Sequence, residues 1–380
     1  MKNRIRRAQS SATDPSEAVR EFHAAVAQPD MVLVMFFCSS QYDLDLLAAE
    51  MDRLFAGVQV VGCTTAGEMG PTGCRDHSLS GASFPADSFV AASGRIDHLQ
   101  QFELATGQAF AQEVLQGLEK HAPQANAANS FALLLIDGLS VREEPVTQAL
   151  QNALESRPLV GGSAGDGMNF GKTQVYFEGH FHADSAVLVL VTTPLPFQTF
   201  KIQHVVPTDQ RVVVTQADAA QRIVREIDGW PAAQAYARLV GVDAQNLDPM
   251  RFAASPVVVV IDGTNYVRSI QKANPDGSLT FFCAIEEGVV LRVARGVDLV
   301  ENLEHAFARI QAVIGPPQLI LGFDCILRKL EIAQSGLVDR VEAVFLSNKV
   351  IGFNSYGEQY QGVHVNQTLT GIAIGEAVNG

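Results

Sequence analysis

Val60-Val61-Gly62-Cys63-Thr64-Thr65-Ala66-Gly67-Glu68 returns near the other end of the chain as Val350-Ile351-Gly352-Phe353-Asn354-Ser355-Tyr356-Gly357-Glu358. The match continues without a gap, since Ser78, Leu79, Ser80 and Gly81 meet Thr368, Leu369, Thr370 and Gly371. A weaker copy, Leu159-Val160-Gly161-Gly162-Ser163-Ala164-Gly165-Asp166, lies between them and is one residue shorter. The first two copies each follow a strand-like apolar run and a helix-like run, residues 32–37 with 44–54 and 131–136 with 146–154. The unit is roughly 100 residues long, too long for a solenoid repeat. Duplicated half-domains are the expectation.

A chain of 380 residues outgrows one hydrophobic core, so two domains are expected. The division falls at Thr193-Pro194-Leu195-Pro196-Phe197, where two prolines stiffen an extended connector, giving domains 1–195 and 196–380. The net charge of −14 repels phosphate backbones and argues against nucleic acid as a partner. The one basic cluster, residues 2–7, reads as a solvated tail; polar residues 8–17 follow it, so no secretory signal is expected. The longest apolar runs, 185–191 and 257–261, are strand-sized, so no membrane span is expected either. The five cysteines are odd in number and widely spaced without a C-x-x-C. That pattern fits neither a disulfide framework nor structural zinc and points to a reducing, cytoplasmic compartment.

Asp14-Pro15-Ser16-Glu17 reads as a helix start, with a cap, a proline and a first-turn acid. Apolar spacing predicts further helices over 44–54, 108–121, 218–227, 231–240 and 299–314. Strands are expected over 32–37, 59–62, 78–92, 185–192 and 200–206, then over 257–261, 267–271, 279–286 and 289–294, with a hairpin turn at 274–277. The expected class is therefore α+β: two domains of duplicated strand-helix-strand units, their sheets mixed or mainly antiparallel, with helices on the outer faces.

Gly62 to Gly67 lacks the Lys-Ser/Thr of a phosphate loop and the G-x-G-x-x-G of a dinucleotide site. Such glycines mostly serve tight turns or close backbone contacts. In the functional alternative Glu68, Asp166 and Glu358 project into a ligand pocket and anchor a small organic molecule such as an amino acid. His180 and His182 share a strand face but have no third ligand at local spacing, so a surface pair is the simpler reading. His364 lies in the last repeat, where its counterpart in the first is Cys74. His204 follows Phe200 and Ile202 on the apolar face of an alternating run. Desolvation holds such an imidazole neutral, the form that ligates iron, although a buried histidine more often just finds a backbone partner. Covalent haem attachment is excluded for want of C-x-x-C-H. Neither G-x-S-x-G nor H-E-x-x-H occurs. Cys325, with Arg328 and Lys329 nearby, is the one candidate nucleophile, against the commoner outcome of a buried inert thiol.

The three glycine-rich copies, together with Asn366-Gln367-Thr368, resemble the FIST family of bacterial sensory proteins over almost the whole chain. The resemblance implies a non-enzymatic sensor module in signal transduction, here of the stand-alone type. Within the family, His204 to Thr208, Tyr266 to Gln271, Cys283 to Gly288 and Asp324 to Arg328 resemble the nitric-oxide-sensing group called NosP. That likeness implies non-covalent haem b, nitric oxide as the signal, and a partner histidine kinase of a two-component system or a cyclic-di-GMP enzyme. The strand pattern then makes His204 the iron ligand, with His364 second. A pure adaptor and a homo-oligomer are both compatible with the sequence.

Overall fold

The computed structural model describes residues 4–261 and 263–376; Lys2 of the basic cluster lies outside them. Three units of one design follow each other. The first runs through strand Arg6–Ser10, helix Pro15–Val26, strand Met31–Ser39, helix Leu44–Leu54, strand Gln59–Thr65, the hairpin Glu68–Gly70 and Gly73–Arg75, and strand Leu79–Pro85. The second repeats this order from Val90–Asp97 to Ser185–Thr192, with Ser130–Ile136 as its central strand and Val175–Phe177 and His180–His182 as its hairpin. The third opens at Phe197–Ile202, just past the proline connector, and closes at Leu369–Gly375, with Pro317–Cys325 as its central strand. An insertion spanning residues 205–296 separates its first strand from its first helix, Leu299–Ile314.

Each unit builds a six-stranded mixed sheet from four of its own strands and a hairpin borrowed from another unit. The hairpin of the first unit joins the third sheet, Glu68 opposite Phe353. That of the second joins the first sheet, Val175 opposite Cys63. That of the third joins the second sheet, Glu358 opposite Gly162. The exchange is cyclic, so the three units interlock. Alternation along the central strands serves two cores at once. Leu33, Met35, Phe37, Leu133, Leu135, Leu321 and Phe323 meet in one shared core. The intervening residues face each unit's own helices, as Val34 and Phe36 do toward Phe22 and Leu47. At about 1.5–3 kcal/mol per buried large side chain, this shared core outweighs the few backbone rungs of each exchanged hairpin. The class is α+β, with helices on the outer faces.

The repeated glycine has one cause in all three units. A side chain at Gly62, Gly161 or Gly352 would strike the carbonyl of Phe36, Leu134 or Gly322, at 2.6, 2.2 and 1.7 Å. Each glycine lets the parallel neighbour of a central strand come close.

The insertion folds around its own core, including Val214, Val224, Tyr236, Phe252, Leu279 and Phe281. Two expectations fail locally. Residues 218–227 are no helix: Asp218 caps one 3-10 turn, Arg222 turns left-handed at φ 56°, and Ile223–Ile227 is a strand. The β-branched Ile223, Val224 and Ile227 explain the outcome. The N-terminal basic segment is likewise no solvated tail beyond residue 5, because Arg6–Ser10 pairs with Leu79–Pro85.

Candidate ligand-binding site

At the end of each central strand the chain turns toward a helix, and a borrowed hairpin lies beside the turn. The structure treats these three junctions differently. At the second junction the insertion fills the space. Arg222 donates to Glu143 at 2.6 Å and also to Glu144, the Ala284 N–H donates to Glu144 at 2.8 Å, and Gln367 donates to the Ala253 carbonyl at 2.7 Å. At the first junction a cavity of about 430 Å³ is lined by polar residues such as Ser40, Asp43, Asp166 and Lys172. At the third, a cavity of about 400 Å³ has an apolar wall of Met69, Ile332, Val338, Val341 and Phe345, a charged rim of Arg75, Asp76 and Lys329, and Asp324 and Asn354 buried in its lining.

An apolar wall with a few converging polar groups is the usual make-up of a small-molecule site; the third junction has it, whereas at the first Tyr42, Leu44 and Phe181 stand among more numerous polar residues. The side chains are held in place. Lys329, on helix Ile326–Gln334, donates to the Ala66 carbonyl at 2.7 Å and pairs with Asp76. Arg75 pairs with Glu342 at 3.1 Å. Asp324, near the end of strand Pro317–Cys325, is buried and pairs with Arg328 in the first turn of the helix, at 2.6 Å. Burial raises its carboxyl above the usual range although Arg328 pulls it down.

Behind Asp324 runs a relay. Arg328 Nη1 donates to His204 Nδ1 at 2.7 Å. That nitrogen therefore accepts, the ring hydrogen sits on Nε2, and Nε2 donates to the Glu331 carboxylate at 2.8 and 2.9 Å. The His204 carbonyl also accepts from Val297 N–H at 2.7 Å. His204 thus ties the cavity helix to both ends of the insertion.

His204 is buried, as its alternation with Phe200 and Ile202 implied, but the strand breaks at Gln203 and resumes at Val205. Both of its ring nitrogens are engaged, so the ring offers iron no free lone pair in this arrangement. His364 is similar. Gln359 donates to its Nδ1 at 3.3 Å, its Nε2 faces the Phe282 carbonyl at 3.2 Å, and burial lowers its pKa. A haem does not fit at either ring as it stands. Among the described residues no group of three or more His, Cys, Asp or Glu could hold a metal ion. His180 and His182 lie 6.3 Å apart on a short hairpin strand.

The glutamates anticipated as pocket anchors face inward instead. Glu68 is fully buried and accepts from Thr65 and from the Ser78 N–H and hydroxyl, at 2.9 and 2.8 Å. Glu358 repeats this with Ser355 at 2.6 Å and with the Thr368 N–H and hydroxyl at 3.2 and 2.7 Å. Each carboxylate pins its hairpin to the next strand. The second unit has Val175 at the matching register, and Asp137 does the pinning there through Thr173 and the Asp184 N–H. Asp166 plays a separate role. Its carboxylate gathers the N–H groups of Phe170, Gly171 and Lys172 at 2.9, 2.8 and 2.8 Å, which shapes the wall of the polar cavity. Cys325 is fully buried, and desolvation with Glu358 nearby pushes its thiol up rather than down, against nucleophilic use.

Burial raises Glu68 to about 7 and Glu358 to about 8, from an ordinary 4.5. A carboxyl with a raised folded pKa contributes stability that is complete below 4.5 and is lost as pH rises through 7 to 8. The melting temperature is therefore expected to fall between pH 5 and pH 9, and Glu358→Gln to flatten the fall. An unchanged slope in that variant would show that the carboxyl is not its source.

The sequence did not single out Asn354, Arg75 or Asp76. The motif spacing held one usable signal: the step from Leu159 to Val350 is nearly double that from Val60 to Leu159, which marks the insertion.

Compared with known families, residues 32–230 match the model described as the FIST N domain, and residues 232–361 match the FIST C domain. No curated protein matches the chain.

Proposed function

Because the chain belongs to the FIST family, whose domains are sensor modules of signal transduction, we propose that it senses a small organic molecule with an apolar body and a charged head. A free amino acid with an apolar side chain has this chemistry. The carrying observation is the cavity beside Asp324 and Lys329, whose apolar wall and opposed charges suit the two parts of such a ligand. Its carboxylate would face Lys329 and Arg75, its ammonium Asp324 and Asp76. Binding then biases helix Ile326–Gln334, and the Arg328–His204–Glu331 relay passes the shift to the insertion. The regulated partner in this reading is a histidine kinase or a cyclic-di-GMP enzyme, met in the cytoplasm, and the chain itself catalyses nothing. No helix among the described residues is long and apolar enough to cross a membrane.

Thermal shift against the free amino acids tests the proposal. A ligand at 100 times its Kd adds about 2.7 kcal/mol, and Lys329→Ala is expected to erase the shift. Haemin forms a separate arm, for the haem b and nitric oxide alternative. A Soret band lost in His204→Ala, with no amino acid shifting the melt, would replace the organic-ligand reading by the haem one.

A further inference from the structure

Strand Phe197–Ile202 pairs with Leu369–Gly375 on one side and ends its sheet on the other. A groove of about 300 Å³ is lined by this strand and by helix Leu299–Ile314, which pack on each other through Phe200 and Phe307. Lys201 and Arg309 line it, and no carboxylate does so among its described residues. A groove of purely positive charge stands out on a chain of net charge −14. Arg268 adds to the field: it lies over Tyr266, the ring that also carries the Lys201 ammonium at 4.7 Å. Gln198 Oε1 and Asn302 Oδ1, both from groove residues, are buried acceptors without a hydrogen-bond partner. An open edge, cations and unfilled acceptors are what an incoming acidic backbone requires.

We propose that this edge takes up an extended acidic segment of the signalling partner as an added strand. Its backbone bonds Phe197–Ile202, its N–H groups supply the acceptors Gln198 and Asn302, and its carboxylates face Lys201 and Arg309. The purpose rests on the sensor reading, because Ile202 is two residues from His204 and the edge therefore lies at the output end of the relay. A ligand that moves helix Ile326–Gln334 changes the seat of His204 and with it the register of the edge.

The probe is a fluorescein-labelled peptide of alternating glutamate and valine, followed by anisotropy on the full chain without ligand. Binding is expected, weaker by about tenfold or more in the double variant Lys201→Glu, Arg309→Glu. It is also expected to be lost for the same peptide N-methylated at alternate amides, which keeps the charge and removes the donors. Absent binding, equal binding of the methylated peptide, or indifference to the charge reversal each overturns the proposal. So does concentration-dependent dimerisation of the chain that the double variant abolishes, which would assign the edge to a second copy. An unchanged melting temperature in the variant shows that folding is not the cause. The amino acid thermal shift is a separate measurement, so failure here leaves the sensor reading standing.

Discussion

Arg328→Met is expected to destabilise the chain by about 3–5 kcal/mol, read from chemical denaturation at neutral pH. The guanidinium is fully buried and contacts Asp324 at 2.6 Å and His204 at 2.7 Å. Removing it strands a buried carboxylate and leaves an imidazole acceptor without its donor. The charge rather than the pairing dominates the loss, because a buried ion pair itself contributes little over an apolar substitute. The double variant Asp324→Leu, Arg328→Met should therefore recover much of the deficit. If the single variant lost less than about 1 kcal/mol, the network would be water-filled rather than buried, and the relay would lose its basis.

The second large effect concerns the insertion. Arg222→Ala leaves Glu143 and Glu144, neighbours at the start of one helix, without their shared counterion at a covered junction, and a cost of about 3–5 kcal/mol is expected. Because the insertion has its own core, this cost falls on docking rather than folding. Hydrogen exchange should quicken at Phe282 to Ala284 and at the start of helix Glu143–Leu154, while the core around Leu279 and Val224 stays protected. Uniform exchange across the insertion would instead mean that it unfolds as it leaves. The pH dependence follows from Glu144. Burial would raise its carboxyl, but the charges packed against it, Arg222 among them, and the Ala284 N–H outweigh burial and hold it below the usual carboxylate range. A depressed carboxyl contributes stability that is complete above its ordinary 4.5 and is lost as pH falls below that value through the depressed one. Docking in the unaltered chain should weaken over that acid window and no higher.

Interlocking changes how the family's two-part description is understood. The seam between the two family matches falls at Trp230 to Ala232, inside the insertion. Hairpins from residues before that seam complete a sheet after it, and the reverse, as Glu68 with Phe353 and Glu358 with Gly162 show.

Local chemistry was readable where a short stretch decides the outcome. The cap at Asp14, the amphipathic helix Leu299–Ile314 and the turn where the Gly277 N–H donates to the Asn274 carbonyl came out as their residues imply. Residues 218–227 misled because apolar spacing there also suits a strand, and the Asp218 side chain caps only a single turn before Ile223–Ile227 extends. Cys325 came out as the buried inert thiol that its residue type favours, its thiol pushed up by desolvation with Glu358 nearby.

From the order of residues alone come the repeated units, their α+β make-up, the buried character of the central strands and the recurring glycines. Those features depend on period, volume and backbone sterics within a few residues. Folding in three dimensions alone settles which sheet receives each hairpin, which junction the insertion fills, and that His204 meets Arg328 and Glu331. A three-residue strand carries too little information to name its partner, and a buried charge finds its counterion only when distant surfaces close around both.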